Sequence, residues 1–461
     1  MIAVQNFNTA INIAGFACLL FDCEGMNGVF VCIDLATPIS FIIHIIHIFY
    51  LFQLMHCGII GANSERKGNS MRLGCSNSLG SWDKLSIAPL VLCFALTLSL
   101  AARGETWYNT RVNNGKDTTA QATCLICNPG LWTNSVGETA TEFSAVDSYV
   151  VSSGQTLRMG EVTKRLAFTG GTIRFGDNGT AGNFTHDNYR ALSFPYGLIL
   201  ERGRYLFNKS PASNLAVGVM NGGMATVTAS EENPFSLYSN HNNRYLVFNN
   251  GIATESDTNV LSLGGDKTNF TFFAMGDLSG YTGRIVVDYT GSFDIRWATR
   301  LCLGERTLPG TIQVKGKAAI SAFSGVLTDP KYADTMPTRS PCVCTVGSLE
   351  MEPGSVICVA GRNKTSKLAA TNGLIRVNTA FSACGPVYVR PDWNVEVTKE
   401  NRALTILTVP SSQELSASDF ILDTTGLAIP QELVLEVRND GLEKQLVITK
   451  KKYGFIVIVR G

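Results

Sequence analysis

Short runs of alternating apolar and polar residues dominate the chain from residue 147 onward, and each run ends near a glycine. The segments Thr172–Phe175 and Arg244–Phe248 are typical, with glycine-containing turns at 170–171 and 249–251. Alternation with period two, in β-branched and aromatic residues, predicts strands with one buried face. No apolar stripe of 3.6-residue period and helical length follows residue 104. The pattern therefore predicts an all-β fold.

The strand-turn-strand unit recurs along the chain. Its later copies lie at 196–200, 285–287, 293–295, 310–314, 346–351, 356–359, 373–377 and 393–397. Repetition favours a parallel β-solenoid, in which insertions at 177–190 and 327–341 are loops on one side of a coil. Tandem β-sandwiches use the same short strands and are the alternative fold. In either case alternation predicts that Ile285, Val287, Leu349 and Ile375 point inward and that Arg284 points outward.

The stretch 279–287 reads Ser-Gly-Tyr-Thr-Gly-Arg-Ile-Val-Val. It resembles the autotransporter-associated β-strand repeat, and a second unit at 347–359 looks like a further copy. The resemblance implies a right-handed parallel β-helix on a bacterial secreted or surface protein. The chain departs from a full autotransporter because no helix-rich linker and no set of amphipathic barrel strands follows the repeats.

The front of the chain carries two apolar segments. Residues 71–104 have the layout of a secretory signal peptide: a polar start at Met71, an apolar run over 85–100, and small residues after it. A transmembrane anchor is the alternative, although the run is short for a bilayer span. Residues 1–70 are then an upstream extension that is not native to the mature protein, or a membrane segment centred on 38–62.

The remaining boundaries follow from composition. Residues 105–146 form an N-terminal cap, in which Trp107, Tyr108 and Trp132 close the open end of the core. Residues 147–425 form the solenoid. Residues 426–461 form an antiparallel C-terminal cap of three strands at 433–437, 446–449 and 455–459, with an Asp440-Gly441 turn signal between the first two.

Charge and cysteine content limit the possible functions. The 38 Lys and Arg nearly balance the 37 Asp and Glu, which argues against a nucleic-acid partner. Cys124 and Cys127 have the spacing of a local disulfide, of two buried thiols, or of half a zinc or redox site, but no second close pair of zinc spacing exists. His44, His47 and His56 lack other ligands nearby. The sequence indicates no metal and no cofactor.

No P-loop, nucleophile elbow, zinc-protease helix or EF-hand loop occurs. Asp277, Asp288, Asp294 and Arg296 are the candidate catalytic groups if the chain is a carbohydrate-active β-helix enzyme, a lyase or glycosidase. Their simpler interpretation is as solvated strand and turn residues. We therefore expect an exported, non-enzymatic, adhesin-like or cell-envelope protein that binds glycans or surface proteins. Membrane contact would come only through the N-terminal apolar segments.

Overall fold

The structure is a computed structural model. It describes residues 7–13, 16–23, 26–34, 104–109, 126–151, 156–158, 166–186, 191–207, 216–239, 244–265, 270–291, 299–326, 338–359, 372–391, 403–425 and 432–451. The chain divides into two compact units, Met1–Arg103 and Gly104–Gly461.

In the first unit, β1 (Phe7–Ile13), β2 (Phe16–Cys23) and β3 (Met26–Asp34) pair as an antiparallel sheet. The apolar segment 38–62 and residues 71–103 of the signal peptide, both inferred from sequence, lie outside the described residues. Within the described residues, no helix combines the length and the apolar character that crossing a membrane requires.

Within its described residues, the second unit contains three large sheets, named here A, B and C, and two short 3-10 turns at Pro129–Leu131 and Ala417–Asp419. In chain order, the strands of sheet C are β4 (Thr106–Asn109), β5 (Trp132–Thr133), β6 (Ser148–Val151), β9 (Thr172–Phe175), β12 (Leu198–Leu200), β15 (Ala225–Val227) and β18 (Ile252–Thr254).

Sheet A has twelve strands in the part of the chain that the structure describes. They are β7 (Thr156–Arg158), β10 (Gly182–His186), β13 (Gly203–Phe207), β16 (Phe235–Ser239), β19 (Val260–Gly265), β21 (Arg284–Val287), β23 (Thr307–Val314), β26 (Val343–Met351), β28 (Leu374–Ala383), β30 (Ala403–Pro410), β32 (Leu433–Asn439) and β33 (Glu443–Lys450).

Sheet B, over the described ranges, has eleven strands. They are β8 (Leu166–Ala167), β11 (Ala191–Phe194), β14 (Ala216–Gly222), β17 (Arg244–Phe248), β20 (Phe270–Ala274), β22 (Thr299–Leu303), β24 (Ala319–Val326), β25 (Thr338–Pro341), β27 (Val356–Val359), β29 (Val387–Pro391) and β31 (Phe420–Leu422).

The chain visits the three sheets in a fixed order. From β6 to β20 it passes through C, A and B in turn, and from β21 to β31 it alternates between A and B, with β25 as an extra strand antiparallel to β24. Neighbouring strands along these paths pair in parallel. The fold is therefore all-β with long parallel sheets. The tandem-sandwich alternative is wrong, because sandwiches are built from antiparallel pairs.

The main hydrophobic cluster of the described residues receives side chains from all three sheets, including Ile173 of sheet C, Phe184 of sheet A and Phe194 of sheet B. In sheet A the inward residues form a ladder, since Phe184 lies beside Tyr205, Tyr205 beside Leu237, and Leu237 beside Leu263. The prediction of inward residues is confirmed: Ile285, Val287, Leu349 and Ile375 are all buried, whereas Arg284 is half-exposed.

The predicted loop insertion at 177–190 is wrong. Within it, residues 177–180 make one tight turn, and Gly182–His186 form β10, which pairs with β7 and β13; residues 187–190 lie outside the described residues. The strand was missed because Phe184 is the one apolar side chain at its inward positions, the other two being Gly182 and His186. Of the second predicted insertion, 327–341, only β25 lies within the described residues.

Sheet B is buried on both faces in its middle strands. Every residue of β20 and β22 is buried, and outward-facing Val247, Phe273 and Cys302 are each 1% exposed. The continuous apolar runs of these strands are typical of parallel strands covered on both sides. Sheet A instead keeps the alternation of a one-sided sheet, as in β21 and β23, so its outer face is the accessible one.

The two ends of the second unit are closed differently. At the N-terminal end Trp132 is fully buried, and its ring centroid lies 5.3 Å from that of Tyr149 in an edge-to-face contact. At the C-terminal end β32 and β33 form an antiparallel hairpin, and β33 pairs antiparallel with β30. Two of the three predicted C-terminal strands are thus present, and the third, at 455–459, lies outside the described residues.

Candidate functional site

A groove of about 560 Å³ opens on the outer face of sheet A, across β10, β13 and β16. Its floor is a ladder of three outward side chains, because Asn183 pairs in register with Arg204, and Arg204 with Ser236. Strands in a sheet lie about 4.8 Å apart, so the floor extends roughly 10 Å across the strands. The groove therefore has room for one or two rings of a ligand.

The rim is formed by the segments that lead into these strands. Ala181 and Arg202 precede β10 and β13, and the turn Glu232-Asn233-Pro234 precedes β16. Gly203 has φ +125°, and a Cβ there would come within 2.0 Å of the Gly182 carbonyl oxygen. Only glycine allows this close approach, which sets Arg202 and Arg204 on either side of the same backbone bend.

Arg204 lies over an aromatic ring. Its Cζ is 5.3 Å from the centroid of Tyr238, which stands two residues beyond Ser236 on the next strand. A guanidinium over a ring face gains a cation–π attraction of about 0.5–1 kcal/mol at an exposed site. The contact restricts Arg204 to an orientation along the groove.

The charges of the groove are not neutralised within it. Among the residues that the structure describes, neither guanidinium, of Arg202 or of Arg204, has an ion-pair partner, and the one carboxylate that lines the groove is Glu232. The groove thus carries two cations and one anion, alongside the amide of Asn183 and the hydroxyl of Ser236.

Further along the same outer face of sheet A, the polar and charged side chains are paired with one another. Arg284 on β21 donates from Nη1 to Oε2 of Glu350 on β26 at 2.8 Å, and Gln313 on the intervening β23 donates to Glu352 at 3.0 Å. The polar groups of this second patch, defined as Arg284, Gln313, Glu350 and Glu352, satisfy one another. The groove and the paired patch therefore differ in what they offer to a ligand.

Behind the groove the inner faces of β10 and β13 contain a polar pair. His186 Nδ1 and the Tyr205 hydroxyl are hydrogen-bonded, and both side chains are buried among Phe184 and Phe207. Burial raises the pKa of Tyr205 well above its ordinary value, since the ionised phenolate would lack solvation there. The pair is sealed from solvent and so is a structural feature of the core.

The structure describes two of the four predicted catalytic candidates. Asp277 is exposed and accepts a hydrogen bond from the Ser279 N–H at 2.9 Å, which lowers the pKa of its carboxyl group. Asp288 is half-exposed and follows the far end of β21. Asp294 and Arg296 lie outside the described residues. Neither described aspartate lines the groove.

The predicted cysteine pair is only half described. Cys127 is half-buried, and its sulfur lies 3.7 Å from the Ala167 carbonyl oxygen. Cys124 lies outside the described residues, so the disulfide stays a prediction. Across the described ranges, no three His, Cys, Asp or Glu side chains are grouped so that they could hold a metal ion.

Sequence reasoning missed the groove residues. One local signal was present: in Arg202-Gly203-Arg204-Tyr205, alternation sets Arg204 opposite the inward Tyr205 and leaves two cations close together. The contribution of Tyr238 had no such signal, because its position beside Arg204, 34 residues earlier in the chain, depends on the pairing register of β13 and β16.

The chain was also compared with known proteins. No family model matches it, and a search of curated proteins returned no match.

Proposed function

We propose that this chain is an exported, non-enzymatic right-handed β-helix, an adhesin-like or cell-envelope component that binds glycans or surface proteins through the outer face of sheet A. The groove at β10, β13 and β16 is the observation that carries the binding proposal.

The sheets establish parallel pairing, and we propose in addition that the solenoid is closed and right-handed. A chain that visits sheets C, A and B in turn, with parallel pairing between successive visits, is the connectivity of a coil. Parallel strands joined by crossovers are nearly always right-handed because of the twist of the strands. The resemblance of 279–287 to the autotransporter-associated repeat supports the same reading.

Export is supported by residues 71–104, whose apolar run and small residues have the form of a cleaved signal peptide. We expect the mature chain to begin near Ala102 or Glu105. Edman sequencing or N-terminal mass spectrometry of material recovered outside the cell tests this directly. Recovery of residues 1–70 on that material would contradict it.

Glycan or protein binding is supported by the composition of the groove. Arginine and tyrosine are side chains that recur at recognition surfaces, where they combine ring or planar faces with directional donors. A glycan array probed with the secreted chain is the first test. We expect hits that weaken in Arg204→Gln and persist in Arg284→Gln, the matched variant in the paired patch.

The alternative, a carbohydrate-active enzyme, has less support. Glycoside hydrolysis by the usual route needs two carboxyl groups that flank the scissile bond. Among the groove-lining residues only Glu232 supplies one. Incubation of the purified chain with polyuronides and neutral glycans, followed by product analysis, separates the two functions, since turnover would favour the enzyme.

A further inference from the structure

We infer that the groove across β10, β13 and β16 is specific for acidic glycans, whose carboxylates pair with Arg202 and Arg204. This inference rests on the proposed function and narrows it from glycans or proteins in general to one class of ligand. It is carried by the unneutralised charge and geometry of the groove.

The first step is the contrast between two regions of one face. In the paired patch, Arg284 already holds the Glu350 carboxylate at 2.8 Å, so an incoming anion would have to displace an internal one. In the groove no described carboxylate holds Arg202 or Arg204. Planar guanidinium groups bind carboxylates in bidentate geometry, which makes these two side chains the natural contacts for a sugar acid.

The second step is the ordering of Arg204. Its guanidinium lies over the Tyr238 ring, with the ring centroid 5.3 Å from Cζ. On the other side of Tyr238, the register pairs it with Gly264, whose missing side chain leaves the ring room to pack close to the sheet. Tyr238 is thus a positioning residue: it reduces the conformational freedom that Arg204 loses when a ligand binds.

The third step concerns the neutral parts of a sugar. Asn183 and Ser236 flank Arg204 in the same ladder and provide an amide and a hydroxyl for ring hydroxyls. Glu232 on the rim accepts hydrogen bonds from hydroxyls but repels a carboxylate. A ligand whose acidic groups are separated by neutral sugar can place a carboxylate beside the arginines and sugar hydroxyls beside Glu232.

The test uses hyaluronan oligosaccharides and the same oligosaccharides with their carboxylates methyl-esterified, titrated into the secreted chain by calorimetry. We expect the acid form to bind at least tenfold more tightly than the ester. Arg204→Gln and Arg202→Gln should each weaken binding of the acid form about tenfold, and Arg284→Gln should leave it unchanged. Glu232→Gln should strengthen it, because a repelling charge is removed.

Tyr238 separates positioning from general structure. Tyr238→Phe keeps the ring and should keep the affinity, whereas Tyr238→Leu should lower it several-fold with an unchanged melting temperature. Equal loss in both variants would overturn the positioning role.

The outcomes also separate this inference from the proposed function. Binding of acid and ester with equal affinity, lost in Arg204→Gln, would overturn the acidic specificity and leave a glycan-binding groove. Binding of the acid form that Arg284→Gln weakens as much as Arg204→Gln would mean that general charge, and not the groove, is responsible. Absence of binding to either form overturns the inference, and absence of hits on a broad glycan array as well would overturn the glycan function itself.

Discussion

Arg284 reaches across an entire strand to Glu350: the ion pair joins β21 to β26 at 2.8 Å, over the outer face of β23 between them. The next residue, Ile285, points the opposite way and is fully buried beside Ile312. Arg284 therefore lies on the outer face of sheet A, and its neighbour Ile285 lies on the inner face.

The first prediction compares these neighbours. Ile285→Asp places an unpaired charge in an apolar ladder, and we expect a loss of more than about 4 kcal/mol in the free energy of unfolding. Arg284→Gln removes an ion pair whose partners are each about one-third exposed, and solvent screening limits the loss to about 1 kcal/mol or less. Thermal melting of both variants measures this. Equal melting temperatures would mean that the assignment of faces is wrong.

The second prediction concerns alkaline pH. Burial raises the pKa of Tyr205, Tyr281 and Cys344, so these groups stay neutral in the folded chain. In the unfolded chain, Cys ionises at about pH 8.5 and Tyr at about pH 10. Stability should be fully present below these values and fall as pH rises above them, by about 1.4 kcal/mol per pH unit for each proton involved.

Urea unfolding between pH 7 and pH 11 gives the slope. Tyr281→Phe should make the decline above pH 10 shallower, although it also removes the hydrogen bond from the Tyr281 hydroxyl to the Arg284 carbonyl oxygen. Tyr196→Phe, at a tyrosine whose side chain is half exposed, is the matched control variant. Identical slopes in the two variants would refute the burial of Tyr281 as the cause.

The third prediction concerns the C-terminal end of the parallel ladder. Arg390 on β29 donates to Asp423 at 3.0 Å, and the Asp423 carboxylate also accepts the Thr425 N–H at 3.1 Å. The Asp423 side chain is 3% exposed. Asp423→Ala leaves a largely buried guanidinium short of an acceptor, and we expect a loss of about 2–3 kcal/mol. Glu432→Ala, which breaks the exposed pair with Lys451, is the control and should change the melting temperature little.

The fourth prediction concerns thiol reactivity. Cys384 is exposed, whereas Cys302, Cys344 and Cys358 are buried. Alkylation with iodoacetamide at pH 8, followed by peptide mass spectrometry, should modify Cys384 first. The buried three should react only after denaturation, because alkylation requires an accessible thiolate. Rapid modification of Cys344 in the folded chain would contradict its place inside the ladder.

The sequence by itself determined the all-β class, the direction of many side chains and the C-terminal hairpin. These are local properties. The alternation in Arg284–Val287 predicts which residues point inward, and the glycines of the turns predict where strands end. The parallel pairing was predicted as one of two alternatives, because a short amphipathic strand reads the same in a solenoid and in a sandwich. The burial of sheet B on both faces, which the structure shows, explains runs such as Phe270–Ala274.

The groove was decided by tertiary structure alone. Arg204 and Tyr238 are brought together by the register of β13 against β16, and that register depends on how inward Tyr205 stacks beside Leu237. The number of residues between successive paired strands varies, so no fixed spacing in the sequence marks which outward residues become neighbours. A side chain's direction is set by its own strand, but its neighbours across the sheet are set by the packing of the core beneath them.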